Sequence, residues 1–332
     1  MSDTKTIRFG VVGSGRIVDQ MIGGAKLYDY LKLTAVYSRT EERAKEYAAR
    51  HGAKYTFTSL EEMAASDVID MVYIASPNRF HLDQAKVFLS HGKHVLCEKP
   101  LTAHPEELDE IYALADQNGC LFAEAIIMLF QPQLEILEKA VKKLGPISSA
   151  RFDFSQYSSQ YPAYLKGETP NIFNPEMETG ALQDLGVYCV YPALYFFGKP
   201  QEIDAKALFL RTGADGTGAA FLSYEDKLIT LNYSKQAESY APSEILGEKG
   251  SVTIGAIGRM EQIVLHQNGK APTLLWGGQE KTALMGYEIA TFADWIVAGA
   301  GERYEAHRRL ARDVSDCMRE IRRKAGIRFP RD

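Results

Sequence analysis

The stretch IRFGVVGSGRIV, Ile7 to Val18, decides the fold. Its first half is apolar and reads as a buried strand, and Gly13 and Gly15 stand between that strand and a segment with helical spacing. A glycine at 13 makes the tight turn, and one at 15 lets a pyrophosphate approach the backbone. The helix that follows offers its first N–H groups and the positive end of its dipole to the same anion. Ser14, Arg16 and Ile17 complete the candidate cradle. Val18 stands where the tightest versions have a third glycine, so the helix is expected slightly further from the strand. A glycine turn alone is a weak signal, because a strand-to-helix connection without a nucleotide uses the same residues; its weight comes from its surroundings.

Outward from the turn, the chain alternates. A helix from about Arg16 to Tyr30 is followed by LKLTAVYS, TEERAKEYAARHG, YTFTSL, LEEMAAS, DMVYIAS, HLDQAKVFLSHG and KHVLCEK, each strand signal answered by a helix signal. Such alternation predicts a parallel sheet with right-handed crossovers. One more helix, HPEELDEIYALADQNGC, and a strand, LFAEAII, close an N-terminal Rossmann dinucleotide-binding domain over residues 1–123. Beyond it strand signals follow one another directly, from SSARFDFSQY through EIDAKALFL, GAAFLSYED, KLITLNYSK, SEILGEKG and SVTIGA to EQIVLHQ. Turn signals such as GADGTG, YEDK, GEKG and QNGK separate several of them. Residues 124–332 are therefore expected to form an α+β domain with a large mixed or antiparallel sheet. Helices are expected in GALQDLGVYCVYPALYFFG, YEIATFADWIVAG and RRLARDVSDCMREIRRKAG. The fold class is α/β with a second, α+β domain.

The 332 residues are 45% hydrophobic and 24% charged, with a formal net charge of −5 and no run of like charges. That balance suits small-molecule ligands and gives no electrostatic footprint for nucleic acid or an anionic membrane. No apolar run approaches the roughly 18 residues of a membrane helix. The N-terminus enters a strand pattern without a charged and then apolar leader, and Cys97, Cys120, Cys189 and Cys317 are scattered, with no CxxC pair. A reduced cytoplasm is expected, with no metal site.

The second strand ends in AVYSRT, where dinucleotide domains carry an acidic residue for the adenosine ribose. Ser38, Arg39 and Thr40 instead offer hydroxyls and a guanidinium, which suit a 2′-phosphate and favour NADP over NAD. Ser38 or Thr40 could equally cap the next helix, with Arg39 solvated.

Ligands of open parallel sheets bind beyond the carboxyl ends of the strands, where ASPNRFH and LCEKP both lie. Lys99 is thereby expected in the cofactor crevice, where its ammonium can hydrogen-bond a substrate oxygen. Pro100 ends the strand and restricts the residue before it, and Glu98 can pair with a cation or bond the cofactor. Ser76, Pro77, Asn78 and His81 join the candidate cofactor contacts, although His81 is also suited to start and pack the next helix. In GALQDLGVY, Asp184 and Tyr188 are four apart and share a helical face. Taken alone, Asp184 could cap that helix and Tyr188 could simply pack. The segment from Tyr157 to Asn174 mixes tyrosines with amides, among them Tyr161, Asn171 and Phe173, a composition that suits a polyol or merely a polar loop over the sheet.

At these residues the chain resembles the Gfo/Idh/MocA family of NAD(P)-dependent oxidoreductases. GVVGSGRIV, VYIASPNRFH, GKHVLCEKPLT, GALQDLGVY and IRRKAGIRFP occur in family order over essentially the whole length. The resemblance implies a dehydrogenase or reductase of a sugar, polyol or cyclic diol, with Lys99, Asp184 and Tyr188 as the catalytic group and Asn78 beside the nicotinamide ribose. It also implies a homodimer or homotetramer formed through the C-terminal sheet. Tyrosine at 188 resembles the branch of dihydrodiol dehydrogenase and glucose-fructose oxidoreductase, and makes the histidine-bearing inositol dehydrogenases less apt as models. Two other readings belong to the same fold: a nicotinamide-sensing regulator without turnover, and a cofactor-recycling glycosidase or lyase. The intact Lys99, Asp184 and Tyr188 speak against the first, and the missing acidic residue after the second strand against the second.

Overall fold

The computed structural model describes residues 5–332. The leader expectation falls partly on residues 1–4, outside the described residues. Contacts divide the chain into two compact units, one holding the residues up to Phe130 together with Glu280–Arg309, the other holding Gln131–Gln279 together with Leu310–Asp332.

In the first unit, β1 (Ile7–Val12), α1 (Arg16–Ala25), β2 (Leu31–Tyr37), α2 (Glu41–His51), β3 (Tyr55–Phe57), α3 (Leu60–Ala65), β4 (Met71–Ile74), α4 (His81–Ser90), β5 (His94–Glu98), α5 (Glu106–Gln117) and β6 (Phe122–Ala125) alternate as expected. Among the described residues the strands form a six-stranded sheet in the order β3-β2-β1-β4-β5-β6, with every neighbouring pair parallel. The order reverses at β1 and β4, which places a crevice there beyond the strand ends. Helices cover such a sheet on both faces, which is why the central strands are apolar throughout rather than alternating: all four residues of β4 are buried. Pairing of Val12 with Tyr37 and Ile74, and of Ile74 with Cys97, sets the ends of β1, β2, β4 and β5 side by side.

Helix α1 stops at Ala25, short of the expected Tyr30, and the chain continues through turns in which Leu27 and Tyr28 donate to Gly24 and Ala25. Gly23 and Gly24 lower helix propensity and serve packing instead. A Cβ on Gly24 would lie 2.5 Å from backbone atoms of Thr282 and Gly286, so α9 (Lys281–Ala298), which belongs to this unit, lies directly against α1. This helix begins six residues before the expected YEIATF segment.

The second unit contains α6 (Gln133–Val141), β7 (Ile147–Ser155), α7 (Tyr161–Leu165), α8 (Val187–Phe197) and the strands β8 (Glu202–Phe209), β9 (Asp215–Ser223), β10 (Leu228–Ser234), β11 (Ser243–Gly247), β12 (Gly250–Ala256), β13 (Glu261–Gln267) and β14 (Thr273–Trp276). The strand β14 lies outside the segments expected from sequence. Among the described residues the sheet is eight-stranded, ordered β14-β13-β12-β11-β7-β10-β9-β8, and mixed: β7 and β10 pair in parallel, the other neighbours antiparallel. Period-two alternation sends Ile203, Ala205, Ala220, Leu222, Ile229, Leu231 and Tyr233 to a buried face. The last helix, α10 (Glu302–Ala325), has residues in both units.

Candidate active site

The glycine turn follows β1 directly. Gly13 has φ +122°, and a Cβ there would meet the carbonyl oxygen of Ala75 at 2.7 Å, so only glycine serves. Val18 fits beneath the turn, fully buried, with its Cγ2 3.4 Å from that same point. Gly15 has nothing within 4 Å of where a Cβ would be, and no side chain caps α1. Exposed backbone at Ser14, Gly15 and Arg16 therefore meets the uncapped start of a helix, whose first N–H groups have no partner within it. This is a cradle that a pyrophosphate fits.

At the end of β2, the Ser38 N–H is taken by Phe57 O at 3.1 Å. Thr40 occupies the N-cap position of α2 but makes no side-chain cap bond. Arg39 is exposed and pairs with no acidic side chain among the described residues. The capping alternative thus leaves these hydroxyls and the guanidinium uncommitted.

After β4, the Ser76 hydroxyl is buried without a partner, an orphaned polar group at the crevice of the kind a bound cofactor satisfies. His81 is 1% exposed, with Nδ1 3.0 Å from Pro100 O and Nε2 2.8 Å from Ser76 O. It ties the loop after β4 to the loop after β5. Pro77 and Asn78 lie between these anchors, Asn78 opening a short 3-10 turn.

At the end of β5, Glu98 accepts the Tyr73 hydroxyl at 2.5 Å and the Lys99 N–H at 3.3 Å. Burial pushes the Glu98 carboxyl above its usual range, and the Lys99 charge opposes that shift. Lys99 itself is partly exposed, and its bond to Pro100 is cis. The same neighbourhood holds Lys281, the first residue of α9, whose pKa burial lowers while Glu98 raises it and Lys99 and Arg16 lower it. Sequence reasoning missed this lysine. The signal available was a cation in the first turn of a helix, where the dipole disfavours it.

In the second unit, the segment before α8 is a π-helical turn, Leu182–Gly186, with the Val187 N–H reaching back five residues to Leu182 O. Turns of this kind recur at functional sites. Asp215 holds its start: buried completely, it accepts the Leu182 N–H at 2.7 Å, and burial lifts its pKa to about 6. Pro192 cannot donate to the carbonyl of Tyr188 four residues earlier. Between Ala181 and Val190 only Asp184 and Tyr188 are not buried, so the two share the open face that their spacing predicted. The Tyr188 ring packs edge-on to Phe154 at 5.4 Å between centroids.

Asp184 is ion-paired to Lys235, a residue the sequence reading did not single out. Its signal was register: Ile229, Leu231 and Tyr233 point inward, and Lys235 continues their alternation. Among the candidate substrate residues, Tyr161 stacks on Tyr164 at 5.3 Å. Phe173 is 0% exposed and packs against both, which gives it a supporting place rather than an open ring face. Asn171 is exposed, and its carbonyl accepts the Thr179 hydroxyl.

A doubly wound sheet with this glycine cradle, followed by a unit carrying a mixed sheet and a carboxylate and a phenol on one open helical face, defines a two-unit dinucleotide-binding oxidoreductase. The chain matches the oxidoreductase family model with NAD-binding Rossmann fold over residues 7–126 and the GFO/IDH/MocA C-terminal domain over residues 139–253. It is 39% identical to the scyllo-inositol 2-dehydrogenase (NADP(+)) IolU of Bacillus subtilis, over 98% of this chain and 99% of that one. It is 26% identical to the trans-1,2-dihydrobenzene-1,2-diol dehydrogenase of Mus musculus, over 98% and 99% of the two chains. Among solved structures, the 3-ketoreductase KijD10 of Actinomadura kijaniata with NADP and TDP-benzene superposes with a TM-score of 0.84, covering 96% of this chain and 98% of that one; at 22% identity the likeness is one of fold. The chain belongs to the Gfo/Idh/MocA family of oxidoreductases. A scyllo-inositol dehydrogenase among its relatives means that Tyr188 alone does not set the inositol enzymes aside.

Proposed function

We propose that the protein is an NADP-preferring dehydrogenase or reductase that acts on a CH–OH or carbonyl carbon of a polyol, sugar or cyclic diol. The observation that carries this reading is the open face at the start of the helix, where between Ala181 and Val190 only Asp184 and Tyr188 escape burial. The relatives named for scyllo-inositol and for a dihydrodiol support the substrate class. The uncommitted Arg39, with Ser38 and Thr40 beside it, supports the 2′-phosphate, as does the NADP in the name of the Bacillus relative.

Lys99 donates a hydrogen bond to the reacting oxygen and stabilises the charge that develops on it. Tyr188 takes the proton from the hydroxyl in oxidation and returns it in reduction. Asp184 orients a substrate hydroxyl. The nicotinamide, when bound, accepts or supplies the hydride. Gly13, Ser14, Gly15, Arg16 and Ile17 would hold the pyrophosphate, and Ser76, Pro77, Asn78 and Glu98 the nicotinamide half. Tyr161 and Asn171 would meet the substrate, with Phe173 behind them. The four buried thiols suit a reduced cytoplasm. Copies of the chain are expected to associate through the open face of the second sheet, where Leu208, Phe221 and Leu228 are 68%, 47% and 44% exposed.

The test is to incubate the protein with NADP⁺ and, separately, NAD⁺ against aldoses, inositols, polyols and trans-dihydrodiols, following reduced nicotinamide. Turnover should appear, faster with NADP⁺. Lys99→Met should lower kcat on the order of 100-fold or more with little change in cofactor affinity. Equal losses in both would remove Lys99 from the catalytic group.

A further inference from the structure

Lys235 follows the last residue of β10, and its side chain is 2% exposed, among the most deeply buried charges of the second unit. A lysine is almost never buried to this degree unless it is paired. Its ammonium meets the Asp184 carboxylate, stands 6.0 Å from the centre of the Phe173 ring, and lies in the field of the fully buried Asp215. The backbone of the residue is fixed as well, its N–H donating to Gly216 O at 2.8 Å and its carbonyl accepting the Ser158 N–H at 3.0 Å. Gln236, the next residue, donates to the Tyr161 hydroxyl at 3.0 Å and accepts from Thr217 at 3.0 Å. Two consecutive residues thus grip the helix that carries Asp184 and the tyrosine platform that begins at Tyr161.

A buried ion pair is a poor device for stability, since desolvating two charges costs about as much as their attraction returns, and apolar residues of similar volume do as well or better. What the pair does do is asymmetric. Lys235 is enclosed, while 30% of the Asp184 side chain remains exposed. An enclosed cation behind a partly exposed carboxylate fixes its rotamer, and the exposed part is then presented as an acceptor of set direction. A hydroxyl is the group such an acceptor reads, and a substrate with several hydroxyls beside the reacting carbon is the class it selects.

We propose that Lys235 is a positioning residue: it holds Asp184 from its buried side so that the exposed part of the carboxylate orients a polyhydroxylated substrate over the Tyr161 platform. This rests on the catalytic reading above and extends it to a residue that does not touch the substrate.

The experiment is a double-mutant cycle on the full-length protein, with kcat, KM for the best polyol of the panel, NADP⁺ affinity and thermal unfolding measured for each form. Lys235→Met should lower kcat/KM for the polyol on the order of 100-fold, leaving NADP⁺ affinity within about twofold. Lys235→Arg, which restores a cation, should recover most of the loss. Asp184→Asn/Lys235→Met removes both charges of the ion pair and serves as the comparison if Lys235→Met is destabilised; its kcat/KM should equal that of Asp184→Asn, because the lysine acts only through the aspartate. A double variant lower than Asp184→Asn by the full factor of the lysine substitution overturns the proposal, as does a folded Lys235→Met with unchanged kcat/KM. A wild-type protein silent across the whole panel overturns the catalytic reading, and the role of Lys235 with it; turnover in the wild type that Lys235→Met keeps overturns the role of Lys235 alone.

Discussion

His94 opens β5, and its Nδ1 accepts the Leu121 N–H at 2.9 Å. Burial lowers its pKa from the usual 6.5 to about 4. The unfolded chain therefore takes up a proton between those values while the folded chain does not, so stability is lost as the pH falls through that window. A shift of this size is worth about 3 kcal/mol when complete. His94→Gln keeps a side-chain acceptor without the titration. Between pH 7 and pH 5 its melting temperature should fall less than that of the wild type; an equal fall would mean that the acid sensitivity lies elsewhere. At this scale the legible residues were those whose chemistry is local. Gly13 and Gly15 announce a turn within a few positions, Lys99 ends a strand, and Asp184 and Tyr188 follow from a spacing of four. Lys235 and Lys281 were not legible as site residues because each acquires its meaning from partners far away in the chain, Asp184 for one and Glu98 for the other. His81 was legible in both its readings, and its ring nitrogens stand at hydrogen-bond distance from two backbone carbonyls.

At the scale of elements, the strands of the first sheet could be read because full burial writes each as a short apolar run. The helix ends could not, because packing sets them. Helix α1 gives up its last expected turn at Gly23 and Gly24, and those glycines let α9 approach so closely that backbone touches backbone. Gly24→Ala tests that contact. In an isolated helix the change would be favourable, but here the new methyl meets Gly286 N and Thr282 O at 2.5 Å, and neither atom is at the end of a flexible side chain. The two helices must separate, at a cost of about 1–3 kcal/mol. Denaturant unfolding should show a lower midpoint; a gain in stability would show that the helices part without penalty. The π-helical turn was equally hidden. It depends on Asp215, thirty-three residues further on, reaching the Leu182 N–H, and on Gly180, where a Cβ would overlap that carboxylate. No local pattern encodes either.

At the scale of the whole molecule, the sequence suggested one division, near residue 123. Contacts group the chain differently, since it leaves the first compact unit after Phe130 and re-enters it at Glu280. Helix α9 carries apolar positions on most of its circumference, so its sequence does not name the partner it packs against; the small residues facing α1 do. The second sheet presents the remaining problem of burial. One of its faces is covered, while on the other Asp204 pairs across to Phe221, Phe221 to Thr230, and Leu208 and Leu228 keep the same parity, so that Leu208, Phe221 and Leu228 lie on one surface. Apolar groups gathered on a broad open sheet mark an association surface, and a second copy of the chain is the expected occupant. Leu208→Glu/Phe221→Glu places charges on that face. Because both side chains are already exposed at 68% and 47%, the isolated fold should tolerate the change within about 0.5 kcal/mol per site. Sedimentation should show the wild type as a dimer or larger assembly and the double variant as a monomer with a similar melting temperature. A wild type that sediments as a monomer would remove the association, and a double variant that still assembles would move it to another surface.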